Sequence, residues 1–226
     1  MNFDLSNNKV YLCGIVASEP QFSHEIYGER FYEINLDVRR LSGQGDVIPI
    51  TISERLFKDN NLTLGRTIAL KGQFRSYNKL IDGHSKLMLT VFVRELCKEN
   101  PSYSTNIIEL SGYVCKDPVY RTTPFKREIC DVLLAVNRAY NKSDYLPCIA
   151  WGRNARYVSE LAVGEKVFIT GRIQSREYQK RIDETTVETK TAFEISVSQV
   201  STDDNIERVL DLMTLNSNVS NTISTQ

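Results

Sequence analysis

The sequence predicts an all-β protein made of two similar modules in tandem. One observation is an internal repeat: KVYLCGIVASEP, beginning at Lys9, aligns with IIELSGYVCKDP, beginning at Ile107, at an offset of 98 positions. The other is an alternation of apolar and polar residues with a period of two, which is expected of strands with one buried face. Because both observations hold in both halves of the chain, each half is predicted to fold into the same small β-domain.

The repeat continues through the full length of both halves. At the same offset, Arg40 aligns with Arg138 and Pro49 with Pro147. With one further residue of slip, the aligned pairs are Gly65 and Gly164, Gly72 and Gly171, and Ser76 and Ser175. Self-similarity of this kind indicates the tandem duplication of a module of roughly 95 residues.

Each module is predicted to contain about five strands, since the period-two pattern recurs that often. In the first module the apolar strand positions lie within Val10 to Val16, Tyr32 to Val38, Ile68 to Phe74 and Leu87 to Val93. In the second module they lie within Ile108 to Leu110, Val132 to Val136, Leu146 to Ile149, Val167 to Ile173 and Phe193 to Val197.

A short helix is predicted after the third strand of the second module. Ala155, Val158 and Leu161 fall at helical spacing there, and Gly164 is a helix-stop signal. The matching stretch of the first module, ERLFKDNNLTLGR, is poorer in helix formers and favours only a turn or two. Five strands with one helix after strand three fit a small closed β-barrel of the OB type.

The predicted organisation has five segments. They are OB-fold module one at 1–97, a linker at 98–106, OB-fold module two at 107–200, a C-terminal helix at 201–215 and a disordered tail at 216–226. The linker prediction rests on the Pro, Ser and Asn of CKENPSYSTN. The C-terminal helix is predicted from an apolar stripe at helical spacing, and the tail from its polar composition.

Composition and motifs exclude several classes of function. The chain carries 28 basic and 28 acidic side chains, so a surface for nucleic acid has to be local. The five cysteines form no C-x-x-C pair, His24 and His84 stand alone, and no catalytic or phosphate-loop motif occurs. We therefore expect no metal, no cofactor and no enzymatic activity. Without a signal sequence or a long apolar run, a reducing cytoplasm is the expected location, with no membrane partner.

Four aromatic side chains of the second module stand among cations and are the candidate DNA-stacking residues: Tyr140, Tyr145, Trp151 and Tyr178. The candidate phosphate contacts are Arg121, Arg138, Lys142, Arg153, Arg156, Arg172, Arg176 and Lys180. Flat rings stack on nucleobases of any sequence, while Arg and Lys neutralise phosphates. The alternative is that these tyrosines only pack on the strands, and that Trp151 makes a local cation–π pair.

The stretch from Leu110 to Tyr178 resembles the bacterial single-stranded DNA-binding protein family. The shared pattern consists of Gly and Pro in LSGYVCKDP, LAVNR followed by an aromatic residue, a strand that ends in AWG, and GRIQSREY. In that family, single-stranded DNA wraps over OB barrels and bases stack on aromatic residues at four places, which fall here on the four candidates. The resemblance implies that Trp151 is a stacking platform and that Arg153 and Arg156 neutralise the backbone beside it.

The first module departs from this pattern. The residues aligned with the four aromatics are Ser42, Val47, Ser53 and Lys79. Possible contacts of this module with DNA are Arg39, Arg40, Arg55, Arg75, Tyr77 and Lys79. We expect this degenerate module to extend an electrostatic track or to form an oligomer contact.

The expected function is sequence-independent binding and protection of single-stranded DNA during replication, recombination or repair, at the bacterial nucleoid. Family members bring together four OB barrels, so two barrels per chain imply a homodimer by resemblance. Two alternatives stay open: an accessory replication-restart, plasmid or phage OB protein, and an RNA- or protein-binding OB scaffold. The chain ends in TISTQ, where the family has an acidic tip, so recruitment of partner proteins through such a tip is not expected.

Overall fold

Twelve strands and two short α-helices form the part of the chain that this computed structural model describes, which is residues 7–40, 42–81, 83–99, 104–181 and 187–202. The side chains of Ile81 and Lys180 lie outside that description. The first half contains β1 (Asn8–Val16), β2 (Gln21–Ile26), β3 (Glu29–Arg39), β4 (Gly45–Ser53), α1 (Glu54–Asp59), β5 (Thr67–Ile81) and β6 (His84–Cys97). The second half contains β7 (Asn106–Val114), β8 (Val119–Thr122), β9 (Glu128–Arg138), a 3-10 turn (Ala139–Asn141), β10 (Lys142–Trp151), α2 (Arg153–Ser159), β11 (Lys166–Arg181) and β12 (Val187–Ser201).

Each half closes into a barrel of five strands. In the first half, β3, β4, β6, β5 and β1 follow one another around the ring, and Ile15 of β1 pairs back to Asp37 of β3. Strands β4 and β6 run parallel, with Ile50 opposite Val91. The second half repeats this ring with β9, β10, β12, β11 and β7, and the pairing of β7 with β9 closes it. The predicted all-β fold of two OB-type barrels is confirmed.

Two short strands lie outside the rings and were not predicted. Strand β2 pairs with β3, and β8 pairs with β9, each in antiparallel register. Their sequences, QFSHEI and VYRT, leave most side chains exposed. Since neither face of these strands is buried, they carry no period-two pattern that would indicate them in the sequence.

Apolar alternation accounts for the barrel strands themselves. In β9, Cys130, Val132, Leu134 and Val136 are buried, while the residues between them are less enclosed. Side chains that are fully buried include Leu36, Ile50 and Phe74 in the first barrel, and Leu134, Leu146 and Ile169 in the second. Each such side chain contributes about 1.5–3 kcal/mol to folding through burial.

The helix after the third ring strand differs between the two barrels. Helix α2 buries Ala155 and Val158 and packs against β9 and β10, whereas α1 is shorter and buries none of its residues. Ser53 is the N-cap of α1, and its hydroxyl accepts a hydrogen bond from the Leu56 N–H at 3.4 Å. Because Ser53 aligns with Trp151, the first barrel has a helix cap where the second has an exposed indole.

The two barrels are joined by an antiparallel pairing of β1 with β7. Val10 lies opposite Ile108, Asn8 opposite Leu110 and Leu12 opposite Asn106. Val10 and Ile108 are themselves repeat-equivalent residues, so a local two-fold axis passes between them. The described part of the chain therefore folds as a pseudo-symmetric pair of barrels, and its twelve strands form one continuous sheet.

Two buried aspartates link the barrels in a second, equally symmetric way. Asp46 of β4 is bound by Arg40 through two contacts of 2.6 Å, and the Ser175 N–H of the other barrel donates to its Oδ1 at 2.8 Å. The repeat-equivalent Asp144 accepts from the Ser76 N–H at 2.7 Å. Both aspartates are fully buried. We refer to Asp46 with Ser175 and Asp144 with Ser76 as the two cross-barrel clamps.

The second barrel begins within the predicted linker. Asn106 is the first residue of β7, and its side-chain amide is hydrogen-bonded to the backbone of Ile173 at 2.7 and 2.9 Å. The C-terminal helix predicted for 201–215 lies outside the described residues beyond 202, and Ser201 is the last residue of β12. The tail predicted for 216–226 lies outside them entirely. Within the described ranges, no helix is long and apolar enough to span a membrane.

Gly72 and Gly171 are predicted to be sites where even a methyl group destabilises the fold. Each lies at a register shift in its long hairpin, and a Cβ atom there would overlap a backbone oxygen, that of Phe92 or of Ser196. We expect Gly171→Ala to lower the free energy of unfolding by about 1–3 kcal/mol, as forced overpacking does. Urea unfolding measures this, with the exposed Ser198→Ala as control, and equal stability of the two variants would contradict it.

Candidate nucleic-acid interface

Strand β10 presents two of the four predicted aromatics on the outer face of the second barrel. Leu146, Cys148 and Ala150 point inward and are buried, while Tyr145 and Trp151 are 47% and 38% exposed. The two residues are six positions apart along the strand, or about 20 Å at ~3.3 Å per residue. The two aromatics therefore share one face but stand too far apart to touch a single base.

Tyr140 lies in the turn immediately before β10 and is 87% exposed. Its φ of 61° and that of Asn141, 54°, are both in the left-handed region. Residues other than glycine occupy this region uncommonly, and two in succession at a surface turn suggest a functional constraint. Tyr140 therefore lies two residues before Lys142, the first residue of β10.

Tyr178 lies on the β11–β12 hairpin, opposite Lys190, and is 37% exposed. The guanidinium of Arg176 stands 5.9 Å from the centre of its ring. The same guanidinium is 3.7 Å from a carboxylate oxygen of Glu194. The cation–π pair of the alternative interpretation was expected at Trp151, whereas here it occurs at Tyr178, and more than a third of this residue stays open to solvent.

The predicted phosphate contacts of the second barrel fall into two groups. Lys142, Arg153 and Arg172 are exposed and have no carboxylate partner within the described part of the chain. Four others already face a carboxylate: Arg121 with Asp131 at 2.8 Å, Arg138 with Asp144 at 3.3 Å, Arg156 with Glu128 at 3.3 Å, and Arg176 with Glu194. The side chain of Lys180 is outside the described residues. The unpaired cations are the ones whose charge is directly available to a ligand.

An open cavity of about 790 Å³ lies beside Trp151. It is also lined by Lys126 and Arg127 of the turn between β8 and β9, and by Thr122 and Glu128, the strand residues that flank this turn. Lys126 and Arg127 are not among the predicted site residues, because the stretch TPFKRE belongs to no aromatic or strand pattern. The two cations lie within reach of the same space as the indole, so they extend the cationic surface around it.

Tyr113 is a further exposed aromatic that the sequence analysis missed. It lies on β7 opposite Ala135, and Ala135 lies opposite Tyr145. Tyr113, at 40% exposure, and Tyr145 therefore flank one small residue in a single row across three strands. Its place in a regular strand gave no signal in the sequence, because only the register brings it beside Tyr145.

The candidates of the first barrel are divided in the same manner. Arg40 and Arg75 are directed to the buried clamp residues Asp46 and Asp144, with Arg75 at 3.1 Å from Asp144. Arg39, Arg55 and Lys79 are exposed, and Arg39 lies 3.8 Å from Asp37. Burial and a hydrogen bond to Glu33 raise the pKa of Tyr77 to about 12, which keeps its phenol neutral at ordinary pH. Arg40 and Arg75 thus have a structural role that their sequence context did not reveal.

The fold and this surface define an OB-barrel protein with exposed aromatic rings among cations on its second barrel. Within the described residues, no group of His, Cys, Asp and Glu side chains could hold a metal ion. Residues 105–203 match the model of the family described as the Single-strand binding protein family. The second barrel is therefore similar to this family, and the chain pairs it with a first barrel of the same fold.

Curated relatives are similar to part of this chain. Single-stranded DNA-binding protein 1 of Staphylococcus aureus (strain COL) is 35% identical over 83 residues, which cover 34% of this chain and 50% of the relative. Single-stranded DNA-binding protein A of Bacillus subtilis (strain 168) is 32% identical over 83 residues, 34% of this chain and 48% of the relative. The chain spans about half the length of these relatives.

A solved structure resembles both barrels together. The wild-type single-stranded DNA binding protein from Thermus aquaticus superposes with a TM-score of 0.66, covering 86% of this chain and 91% of that chain. The sequence identity is 20%, so the likeness concerns the fold alone. The arrangement of two OB barrels in one chain is therefore shared with a known structure.

Proposed function

We propose that this protein binds single-stranded DNA without sequence preference, and coats and protects exposed strands during replication, recombination or repair. The observation that carries the proposal is the set of four solvent-exposed aromatics on the second barrel, Tyr140, Tyr145, Trp151 and Tyr178. The match of residues 105–203 to the Single-strand binding protein family supports the same conclusion. The proposed activity is binding alone, with no chemical step.

Base stacking supplies the affinity in this proposal. Each base that stacks on an aromatic ring contributes about 1–3 kcal/mol, and any base can do so because every base has a flat face. Tyr145 and Trp151, about 20 Å apart on one face of β10, would accept different bases of one strand. Tyr140 and Tyr178 would extend the track at the turn before β10 and on the β11–β12 hairpin. A duplex offers no free base faces, so it is a poor ligand.

Phosphate neutralisation supplies the remaining affinity. Lys142, Arg153 and Arg172 are the cations that can bind phosphates without first breaking an ion pair, and Lys126 and Arg127 add charge beside Trp151. Arg121 and Arg156 would exchange an exposed carboxylate for a phosphate, whereas Arg138 and Arg176 would contact a phosphate while keeping the buried Asp144 and Glu194. Such exchange costs little at exposed pairs, because these are worth about 0–1 kcal/mol.

The proposal includes the homodimer expected from the sequence, which would bring four barrels together. The pairing of the two barrels within one chain supports such an assembly of barrels. There, β1 and β7 already join two barrels across a local two-fold axis. Light scattering at increasing concentration measures this directly. A chain that keeps the mass of one copy at all concentrations would remove the dimer from the proposal.

The affinity for poly-dT and its salt dependence test the proposal. We expect binding of poly-dT and much weaker binding of duplex DNA in an anisotropy titration. On single strands, each neutralised phosphate contributes about −0.7 to the slope of log K against log salt. The three unpaired cations therefore predict a slope of about −2 or steeper. The variant Lys142→Ala/Arg153→Ala should flatten that slope by ~1.4, whereas the exposed Lys98→Ala should leave it unchanged. Equal affinity for duplex and poly-dT would contradict the proposal, as would preference for RNA over DNA.

A further inference from the structure

We propose that the first barrel has a strand-binding groove of its own, built from aromatic residues at positions different from those in the second barrel. The groove is lined by Phe22, Tyr77 and Phe92, and by Arg75, Arg94 and Arg138. Its ligand is a segment of single-stranded DNA. This inference rests on the proposed function, and it assigns to the first barrel a site that its aligned residues, Ser42, Val47, Ser53 and Lys79, do not suggest.

The groove lies between β2 and the β5–β6 hairpin and has a volume of about 670 Å³. Phe22 on β2 is 60% exposed, and Tyr77 on β5 is 37% exposed. Phe92 is half-buried on β6. Rings therefore line this space from three strands, which leaves flat surface available for stacked bases.

One lining residue of the groove, His24, lies in the row of the barrel that corresponds to Trp151, because it pairs with Phe31. In the second barrel, Trp151 lies opposite Ile129, and in the first barrel the equivalent pair is Ser53 and Phe31. The His24 ring stacks on Phe31 at 4.9 Å, and Phe31 lies 5.5 Å from Phe92. Aromatic rings on the neighbouring strands β2 and β6 thus line the groove although Ser53 itself carries none.

Three guanidinium groups converge at one end of the groove. The Gln73 side-chain oxygen accepts hydrogen bonds from both Arg75 and Arg94, and Arg94 lies over the Phe92 ring at 5.2 Å. Arg138 of the second barrel also lines the groove. Burial and the nearby Arg138 lower the pKa of Arg75, as expected where cations crowd together. Asp144 faces Arg75 and Arg138, but Arg94 is left without a carboxylate partner in the described part of the chain.

Rings beside an excess of guanidinium groups match the chemistry of a nucleotide chain, which alternates flat bases with anionic phosphates. Arg138 connects the groove to the second barrel, because it lies two residues before Tyr140 in the chain. A strand that leaves the groove past Arg138 would arrive at the first aromatic of the second barrel. The two barrels would then hold one continuous strand through two different aromatic sets.

The test compares the full chain with the variant Phe22→Ala/Arg94→Glu, in which both replaced side chains are exposed. Each OB fold covers roughly 4–16 nucleotides, so dT oligomers of about 8 and about 30 nucleotides distinguish one barrel from two. We expect the variant to bind the longer oligomer about tenfold more weakly or worse, and to saturate at a shorter length. Lys98→Glu, an exposed cation outside the groove lining, is the matched charge reversal and should bind as the wild type does.

Photocrosslinking supplies a readout that does not depend on the stability of any variant. Oligomers of dT with single 5-iododeoxyuridine substitutions are irradiated with the wild-type chain, and the crosslinked peptides are mapped. Crosslinks to Phe22, Tyr77 or Phe92 are expected in addition to those on the second barrel. Wild-type affinity in the double variant, with crosslinks confined to the second barrel, overturns this inference and leaves the proposed function standing. Absence of dT binding by the wild-type chain overturns both.

Discussion

Replacing Tyr145, Trp151 and Tyr178 together with alanine is expected to weaken the binding of poly-dT by at least about a hundredfold. Each stacked base is worth about 1–3 kcal/mol, and about 1.4 kcal/mol corresponds to a factor of ten in affinity. Three lost platforms therefore remove roughly 3 kcal/mol or more, even at the lower limit of that range. This is the largest effect on binding that the structure predicts.

The three side chains are exposed and lie outside the buried core, so the triple replacement should leave the barrel core intact. Thermal unfolding of the triple variant checks this and should give a melting temperature close to that of the wild type. Tyr27, a fully exposed aromatic at the β2–β3 turn, provides the control Tyr27→Ala, which should bind poly-dT normally. If the triple variant and this control bind poly-dT equally well, the proposal that bases stack on the second barrel is wrong.

Replacing Asp144 with alanine is expected to lower the free energy of unfolding by about 3–5 kcal/mol, the range found when one partner of a buried ion pair is removed. Asp144 is fully buried. It forms ion pairs with Arg75 and Arg138 and accepts a hydrogen bond from the Ser76 N–H. Its loss leaves two guanidinium groups and a backbone donor without their acceptor. Urea unfolding measures the change, and Asp117→Ala in the exposed loop before β8 is the control. A loss below about 1 kcal/mol would show that the clamp does not hold the barrels together.

The other clamp adds a pH dependence. Burial alone would raise the pKa of Asp46, but the hydrogen bonds from Arg40 and Ser175 outweigh it, so the pKa is lowered below its ordinary value. A carboxylate whose folded pKa is lowered stabilises the fold above its unfolded pKa of about 3.9, and this stability is lost as pH falls. Asp46→Asn should therefore be less stable than the wild type at neutral pH, with the difference shrinking in acid. A difference that is constant with pH would contradict the role of the Asp46 charge.

The sequence predicted the duplicated barrels and the helix of the second barrel because these features repeat or follow a simple period. The pairing of Val10 with Ile108 and the clamps from Asp46 and Asp144 were not predicted, since they join distant positions with no local pattern. For the same reason the sequence predicts Arg40 as a possible contact with DNA. The sequence shows that Arg40 is positively charged, but only the fold shows that the buried Asp46 lies against this side chain.

The groove of the first barrel shows why alignment of the two repeats was not enough to predict binding surfaces. The residue equivalent to Trp151 is Ser53, so the alignment predicts that the first barrel has no aromatic ring for stacking at this position. The aromatic residues nearby lie on other strands, and only strand register brings His24, Phe31 and Phe92 together. A binding surface can keep its chemistry while its residues change strands.

Fluorescence of Trp151, the single tryptophan of the chain, tests the central claim most directly. The protein is titrated with dT oligomers of increasing length and with duplex DNA, at low and at high salt. Stacking of a base on the indole predicts strong quenching by the dT oligomers alone, with a weaker apparent affinity at high salt. Binding of poly-dT in an independent anisotropy assay, with Trp151 fluorescence unchanged, would contradict a stacked base at this position.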